Sequence, residues 1–154
     1  MKQGKLVVIS GPSAVGKSTI TAEVQKELPN VKRIITYTSR KPRPAEENGV
    51  DYTFLTPEEF KSKINDNFFV EWATVYETYY GSSLNDINTA LNNGHNIVMV
   101  VDIQGLETIK NKLSQAITIF IMPESIEQLE NRLLARPKAD PEDIKIRLSK
   151  TKNE

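Results

Sequence analysis

The residues best suited to binding a phosphate stand together near the N-terminus, in the segment GPSAVGKST at positions 11–19. Its spacing fits G-x-x-x-x-G-K-[ST], in which the glycines let backbone N–H groups surround phosphate oxygens and the following helix turns its positive N-terminus to the same anion. In this motif the lysine reaches the β- and γ-phosphates of a nucleotide, and the first hydroxyl after it ligates Mg²⁺. We therefore predict a nucleotide-binding loop, with Lys17 on the phosphates and Ser18 on the metal, made of Gly11, Pro12, Ser13, Ala14, Val15, Gly16, Lys17, Ser18 and Thr19.

A basic cluster further along the chain indicates a second anion site. Five cationic residues and no acidic one lie between Lys32 and Arg43, although the whole chain balances 20 basic against 20 acidic side chains. Arg40 and Arg43 stand three residues apart, and a planar guanidinium suits bidentate binding of phosphate oxygens. The cluster predicts a phosphate-binding loop, with an ordinary solvated basic loop as the alternative.

The composition limits what else the chain can be. Its 154 residues, 38% of them hydrophobic, suffice for one core with small insertions. The zero formal net charge gives no overall field for a nucleic acid or an anionic membrane, so we expect neither as a partner. The absence of cysteine excludes disulfides, iron–sulfur clusters and thiolate catalysis. The N-terminal apolar stretch is too short for a signal peptide or a membrane span, so we expect a cytoplasmic protein.

Strand and helix patterns alternate along the chain. The nucleotide-binding loop follows the apolar run Leu6–Ser10, and Ile20, Val24 and Leu28 then recur at the spacing of a helix face. A position between strand and helix is the one that the motif needs, which argues against a simple glycine-rich turn. Further strands are predicted at VKRIITYTS, NIVMVVDIQ and AITIFIM. Two helices are predicted from apolar residues at helical spacing: Leu84, Ile87 and Leu91 before Gly94, and Leu106, Ile109 and Leu113. Three more are predicted from residues typical of helix starts: the Thr56–Pro57–Glu59 capping box, Ser125 with Gln128, and Asp140–Pro141. This alternation predicts an α/β fold with a parallel sheet covered by helices.

Four segments in order carry a resemblance to a known family. The chain resembles guanylate kinases, P-loop enzymes that transfer a phosphoryl group from ATP to GMP, in GPSAVGKST, TYTSRKPRPAEENGVDYTF, FVEWATVYETYYGSS and VVDIQG. The resemblance runs from Gly4 to about Leu148. It implies a nucleoside monophosphate kinase that uses ATP and Mg²⁺ to phosphorylate GMP.

The resemblance also implies an arrangement of subdomains. Residues 1–33 and 96–154 would form the P-loop nucleotide-binding core, with a helical lid at about 132–147, and residues 34–95 would form an inserted GMP-binding subdomain. Members of the family continue through one more core strand and a terminal helix after the position of Glu154. We therefore expect AITIFIM to form an exposed apolar sheet edge through which copies of the chain self-associate.

The resemblance assigns the GMP site residue by residue. The positions that would bind the GMP phosphate are Arg40, Arg43, Tyr52 and Tyr80. The positions that would read the guanine edge are Thr36, Glu71 and Ser82. Guanine presents N1–H and N2–H₂ donors that a carboxylate can accept, and adenine presents neither at that edge, so specificity is expected to rest on Glu71. Outside these motifs Glu71 would be interpreted as a surface carboxylate and Tyr80 as a packing residue.

The remaining implied residues surround the transferring phosphoryl group. Asp102, at a strand end, would lie close to both Lys17 and GMP, and the arginines expected around the ATP phosphates are Arg132, Arg136 and Arg147. The acceptor is an ionised phosphate oxygen and needs no general base. The task is to bring two polyanions together, since two unit charges about 4 Å apart repel by roughly 4 kcal/mol at an effective dielectric near 20.

Departures from the family pattern keep two other functions open. Val100 stands where relatives usually carry a second acid that helps to hold the hydrated metal, and Pro137 and Ala139 follow Arg136 in place of a glycine and an acidic residue. Val100 and the lack of the family's last strand and helix argue for a catalytically weak or inactive guanylate-kinase-like binding module, against which the intact Lys17 argues. A related P-loop kinase for another phosphorylated acceptor is the second alternative, and the complete set of guanine-reading residues argues against it.

Overall fold

The computed structural model describes residues 3–75, 77–135, 144–146 and 148–149. Its strands and helices alternate for most of that length, in the order β1 (Leu6–Ser10), α1 (Lys17–Glu27), β2 (Val31–Arg33), β3 (Tyr37–Thr38), β4 (Thr53–Phe54), α2 (Pro57–Asn65), β5 (Phe69–Val75), β6 (Thr78–Ser83), α3 (Leu84–Asn92), β7 (Asn96–Val100), α4 (Ile103–Lys112), β8 (Ile117–Phe120) and α5 (Ile126–Leu134). The helix predicted from Asp140–Pro141 begins outside the described residues. No helix in the described part is both long and apolar enough to cross a membrane.

The first sheet is parallel and carries the centre of the core. Its strands are hydrogen-bonded in the order β2-β7-β1-β8, and Val8, Ile97 and Met99 are fully buried. Helices α1, α3 and α4 pack against it, which confirms the predicted α/β fold. Because Ile9 pairs in register with Val100, the loops that follow β1 and β7 emerge side by side at the C-terminal edge of the sheet. That edge is where α/β sheets bind ligands.

The second sheet has the order β4-β3-β6-β5, and β6 runs antiparallel to both β3 and β5. All four strands lie within residues 34–95, although the subdomain boundaries themselves stay a prediction. Ile34, Val70 and Ile87 belong to the same buried cluster as the first sheet, so the two sheets share one core. Helix α2 begins with the predicted capping box, in which Thr56 and Glu59 bind each other's backbone N–H groups.

Helix α1 is present as predicted, but two of the three apolar residues that mark its face are exposed. Ile20 and Leu28 are 41% and 51% exposed, whereas Thr21 is buried. The helix packs on β2 and β7 through the side that carries Thr21, whose hydroxyl donates to the Lys17 carbonyl at 2.8 Å and so is not buried without a partner. The spacing of apolar residues located a stripe on the helix but did not determine which side meets the sheet.

Strand β8 forms one edge of the parallel sheet among the described residues. It pairs with β1 on one side, and all four of its residues are exposed, Ile117 and Ile119 by 46% and 45%. Within the described part of the chain, the predicted exposed edge is therefore present. Self-association through the edge stays a prediction.

Candidate active site

The loop between β1 and α1 has the shape of an anion cradle. Gly11 and Gly16 have φ values of 146° and 106°, which side chains rarely tolerate, and a side chain at Gly11 would also collide with the carbonyl oxygen of Ile121. Ala14 adopts a positive φ of 67° between them. Alternation of this kind turns successive N–H groups toward one point, and the N-terminus of α1 has no side-chain cap to compete for its own N–H groups.

A cavity of about 280 Å³ opens at this loop. Its lining consists of Ser13, Ala14, Gly16, Lys17, Ser18, Thr19 and Arg132. Lys17 Nζ donates to the carbonyl oxygens of Gly11 at 2.5 Å and Pro12 at 2.9 Å, which holds the ammonium against the cradle. Arg132, from α5, reaches the same loop and donates from Nη1 to the Val15 carbonyl at 2.9 Å. Two cations that are 115 residues apart in sequence therefore meet at one polar cavity.

A second cluster collects around Arg40, at the end of β3. The Arg40 guanidinium lies 5.5 Å from the centre of the Tyr52 ring, and the Tyr52 and Tyr80 rings are 6.1 Å apart. Burial raises the pKa of Tyr52, and the charge of Tyr80 acts in the same direction. Arg43 is exposed at the rim. The structure thus brings together three of the four residues predicted for a phosphate. Of the basic cluster, Arg40 is partly buried whereas Lys32, Lys41 and Arg43 are exposed, so the solvated-loop alternative stays open for the exposed residues.

Glu71 is a buried carboxylate, so its interpretation as a surface residue is wrong. Its side chain is 6% exposed, and Ser82, its direct partner in the β5–β6 ladder, donates a 2.6 Å hydrogen bond to Oε1. Burial raises the pKa of Glu71 from 4.5 to about 7, and the negative charge of Asp102 adds to that effect. The hydrogen bond from Ser82 and the charge of Lys112 act in the opposite direction. A buried carboxylate of this kind is typical of a functional site.

Asp102 lies at the start of α4, on the side that faces Glu71. It is the N-cap of α4, and its Oδ1 accepts from the N–H of Gly105 at 2.8 Å. A side chain at Gly105 would place its Cβ 2.9 Å from Glu71 Oε2 and 3.2 Å from Asp102 Oδ1. The first turn of α4 can therefore approach Glu71 only because residue 105 is glycine.

The other predicted residues are less closely integrated or lie outside the described part. Thr36 is half-buried between β2 and β3, and its carbonyl accepts from the Thr53 N–H at 2.9 Å. Arg136 and Arg147 fall outside the residues whose side chains are described. Within the described part, no group of three or more acidic, histidine or cysteine side chains is placed to hold a metal ion.

Three contributors were missed at the level of sequence. Glu46 binds Arg40, Gly105 makes room for Glu71, and Lys112 Nζ donates to the Val70 carbonyl at 2.7 Å beside Glu71. Gly105 lies inside the VVDIQG segment and could have been noticed as a glycine in the first turn of a helix. Glu46 and Lys112 are ordinary charged residues in sequence, and no local pattern distinguishes them.

Comparisons with known proteins agree on one family. A family model described as guanylate kinase matches residues 3–154. The guanylate kinase of Bdellovibrio bacteriovorus is 37% identical over 150 residues, covering 97% of this chain and 81% of that protein. The one from Caldanaerobacter subterraneus is 41% identical over 143 residues, covering 93% and 69%. The crystal structure of guanylate kinase from Anaplasma phagocytophilum matches with a TM-score of 0.75 at 25% identity, covering 99% of this chain and 74% of that one.

Proposed function

This chain belongs to the guanylate kinase family, and we propose that it transfers the γ-phosphoryl group of MgATP to GMP, yielding ADP and GDP. The observation that carries the proposal is the buried Glu71 carboxylate, which is held by Ser82 on β6, the strand that also carries Tyr80. The N1–H and N2–H₂ groups of guanine supply the donors that such a carboxylate lacks, and adenine does not.

The ATP side of the reaction is assigned to the cavity at the β1–α1 loop. Its backbone N–H groups, Lys17 and Arg132 provide the positive field that a triphosphate needs, and the cavity is open and polar as that ligand requires. On binding, we expect Lys17 Nζ to exchange its bonds to the Gly11 and Pro12 carbonyls for phosphate oxygens. Bound through the Ser18 hydroxyl, Mg²⁺ would offset phosphate charge during transfer.

The GMP side is assigned to the second sheet and the first turn of α4. Arg40, Arg43, Tyr52 and Tyr80 would hold the phosphate, while Glu71 and Ser82 hold the base at the other end of the nucleotide. The hydrogen bond from Ser82 to Oε1 holds the Glu71 carboxylate in place, and we expect its remaining lone pairs to accept from guanine. Thr36 is assigned to the same base edge, and residues 34–95 to the GMP-binding subdomain.

The chemical step then rests on positioning and charge. An ionised oxygen of the GMP phosphate attacks the γ-phosphorus, a new P–O bond forms, and the bond to the ADP oxygen breaks. No proton is removed, so no side chain serves as a general base. Lys17 and Arg132 neutralise charge on the donor, and Arg40 and Arg43 do so on the acceptor, which offsets the repulsion between the two anions. We assign Asp102, Arg136 and Arg147 to the same region, the two arginines on a lid at about 132–147.

A panel of acceptors tests the proposal. ADP release is measured with ATP, Mg²⁺ and each of GMP, AMP, CMP and UMP, and GMP binding is measured separately without ATP. We expect turnover with GMP to exceed that with AMP by at least about 100-fold, because AMP leaves a buried carboxylate without a donor. Equal rates with AMP would refute the assignment of Glu71. Tight GMP binding without ADP release would instead identify a binding module.

A further inference from the structure

An acidic residue occupies the centre of the candidate phosphate site. Glu46, in the loop between β3 and β4, accepts from Arg40 Nη1 and Nη2, both at 2.8 Å. Its Oε2 also accepts from the backbone N–H of Arg43 at 2.8 Å. The two side chains are partly buried, with 19% of Arg40 and 16% of Glu46 exposed. A carboxylate here must either compete with an incoming phosphate or prepare the site for it.

The atoms used by Glu46 distinguish these two roles. The carboxylate engages the end of the guanidinium formed by Nη1 and Nη2, and Nη1 also donates to the Lys41 carbonyl at 2.8 Å. The N–H of Nε is buried and has no acceptor among the described residues. A buried donor without a partner is costly. It belongs to a guanidinium that lies over the Tyr52 ring and also interacts with the Tyr80 hydroxyl, and both tyrosines are assigned to the phosphate. The pair therefore leaves one edge of Arg40 prepared for a ligand oxygen.

Charge supports the preparatory role. Hydrogen bonds from Arg40 lower the pKa of Glu46 to about 2, so the carboxylate is ionised throughout the neutral range. Its charge compensates the partial burial of a permanent cation, which allows Arg40 to be held in place before any ligand arrives. The bond to the Arg43 N–H ties the backbone of the second arginine to the first. Arg43 is exposed and contributes a further positive charge at the rim.

We propose that Glu46 is a positioning residue for the acceptor phosphate. Glu46 holds Arg40 through Nη1 and Nη2, links it to the Arg43 backbone, and leaves Nε of Arg40 for a phosphate oxygen. The proposal rests on the function assigned above, because it requires the phosphate of GMP as the ligand. This role differs from competition with the phosphate. If Glu46 competed with GMP for Arg40, removing its charge would strengthen GMP binding, whereas removing a positioning residue weakens it.

The test compares Glu46→Gln with Glu47→Gln. The first change keeps the size of the side chain but removes its charge and one acceptor. The second is the matched control, because Glu47 is exposed and joins the loop through its backbone. Dissociation constants for GMP and for guanosine are measured by NMR titration without ATP, together with the KM values for GMP and ATP and the melting temperature.

We expect Glu46→Gln to weaken GMP binding about tenfold or more, with guanosine binding, the KM for ATP and the control variant changed by less than about twofold. Stronger GMP binding would overturn the proposal and establish competition. Equal losses for GMP and guanosine would overturn it as a general structural effect, and unchanged GMP binding would overturn it directly. If the unsubstituted chain binds no GMP, the proposed function itself fails, which is a different result from any of these.

Discussion

Ser82 lies directly across the β5–β6 ladder from Glu71, and its hydroxyl donates to Glu71 Oε1 at 2.6 Å. The resemblance implies that both residues read the guanine edge. The fold also makes them a hydrogen-bonded pair, which the resemblance did not state. The bond fixes the orientation of the carboxylate and uses one of its oxygens. A carboxylate held this way keeps Oε2 in a fixed place, which is what recognition of a planar donor edge needs.

The raised pKa of Glu71 predicts that GMP binding weakens as the pH falls below about 7. Protonation removes the negative charge of the carboxylate and turns one of its oxygens into an O–H donor, so the group can no longer accept from both the N1–H and the N2–H₂ of guanine through two charged oxygens. The KM for GMP should therefore rise between pH 7.5 and pH 5.5. The phosphate of GMP titrates near pH 6 as well, so Glu71→Gln provides the reference in which only the phosphate titrates. Parallel KM profiles for the two proteins would show that Glu71 does not control the pH dependence.

Substitutions at the two anion sites should affect different kinetic constants. We expect Lys17→Ala to lower kcat by at least about 100-fold with little change in the dissociation constant of GMP, because Lys17 lies at the ATP cavity. Arg43→Ala should instead raise the KM for GMP. Lys26→Ala is the control, because it also removes a lysine from α1 but at an exposed position in the last turn of the helix. We expect it to leave kcat unchanged. Near-normal turnover of Lys17→Ala would contradict the phosphoryl-transfer mechanism.

Gly105→Ala should weaken GMP binding without weakening ATP binding. The added Cβ would lie 2.9 Å from Glu71 Oε2 and 3.0 Å from Val101 Cβ, so Glu71 or α4 must shift. In an unstrained helix alanine is more favourable than glycine by about 1 kcal/mol, so intrinsic helix propensity would not explain a loss. Gln104→Ala, at the exposed neighbouring position, is the control. The dissociation constants of GMP and of ATP are measured separately for each variant. Equal changes in both constants for Gly105→Ala would count against a specific effect on Glu71.

The exposed edge at β8 predicts self-association. Ile117 and Ile119 are nearly half exposed beside a strand edge with no described partner on its outer side, and such edges pair with other chains. Sedimentation over a range of concentrations should show a concentration-dependent increase in mass. Ile119→Lys should reduce it, because charge on an edge strand opposes pairing. Leu28→Lys is the control at an exposed apolar residue of α1. A monomer at all concentrations would show that the edge is not an interface.

Local sequence determined the features that depend on neighbours in the chain. The spacing of Gly11, Gly16 and Lys17 specifies the anion cradle, because its positive φ values and the following helix are local properties. Caps at Thr56 and Ser125 were predicted for the same reason and are confirmed. The basic cluster predicted a phosphate role for Arg40, but the roles of Tyr52, Tyr80 and Glu71 came from resemblance, since none of their spacings specifies a site.

Only the tertiary structure decided which distant groups meet and which faces are covered. The partnership of Arg40 with Glu46, the burial of Glu71 beside Asp102 and the arrival of Arg132 at the β1–α1 loop all depend on how sheets and helices pack. The α1 face shows the same limit, because the apolar spacing of Ile20, Val24 and Leu28 identifies a stripe without identifying its neighbour. Periodicity records the geometry of one element, whereas pKa values, ion pairs and burial are set by contacts between elements, and a single sequence does not contain those contacts locally.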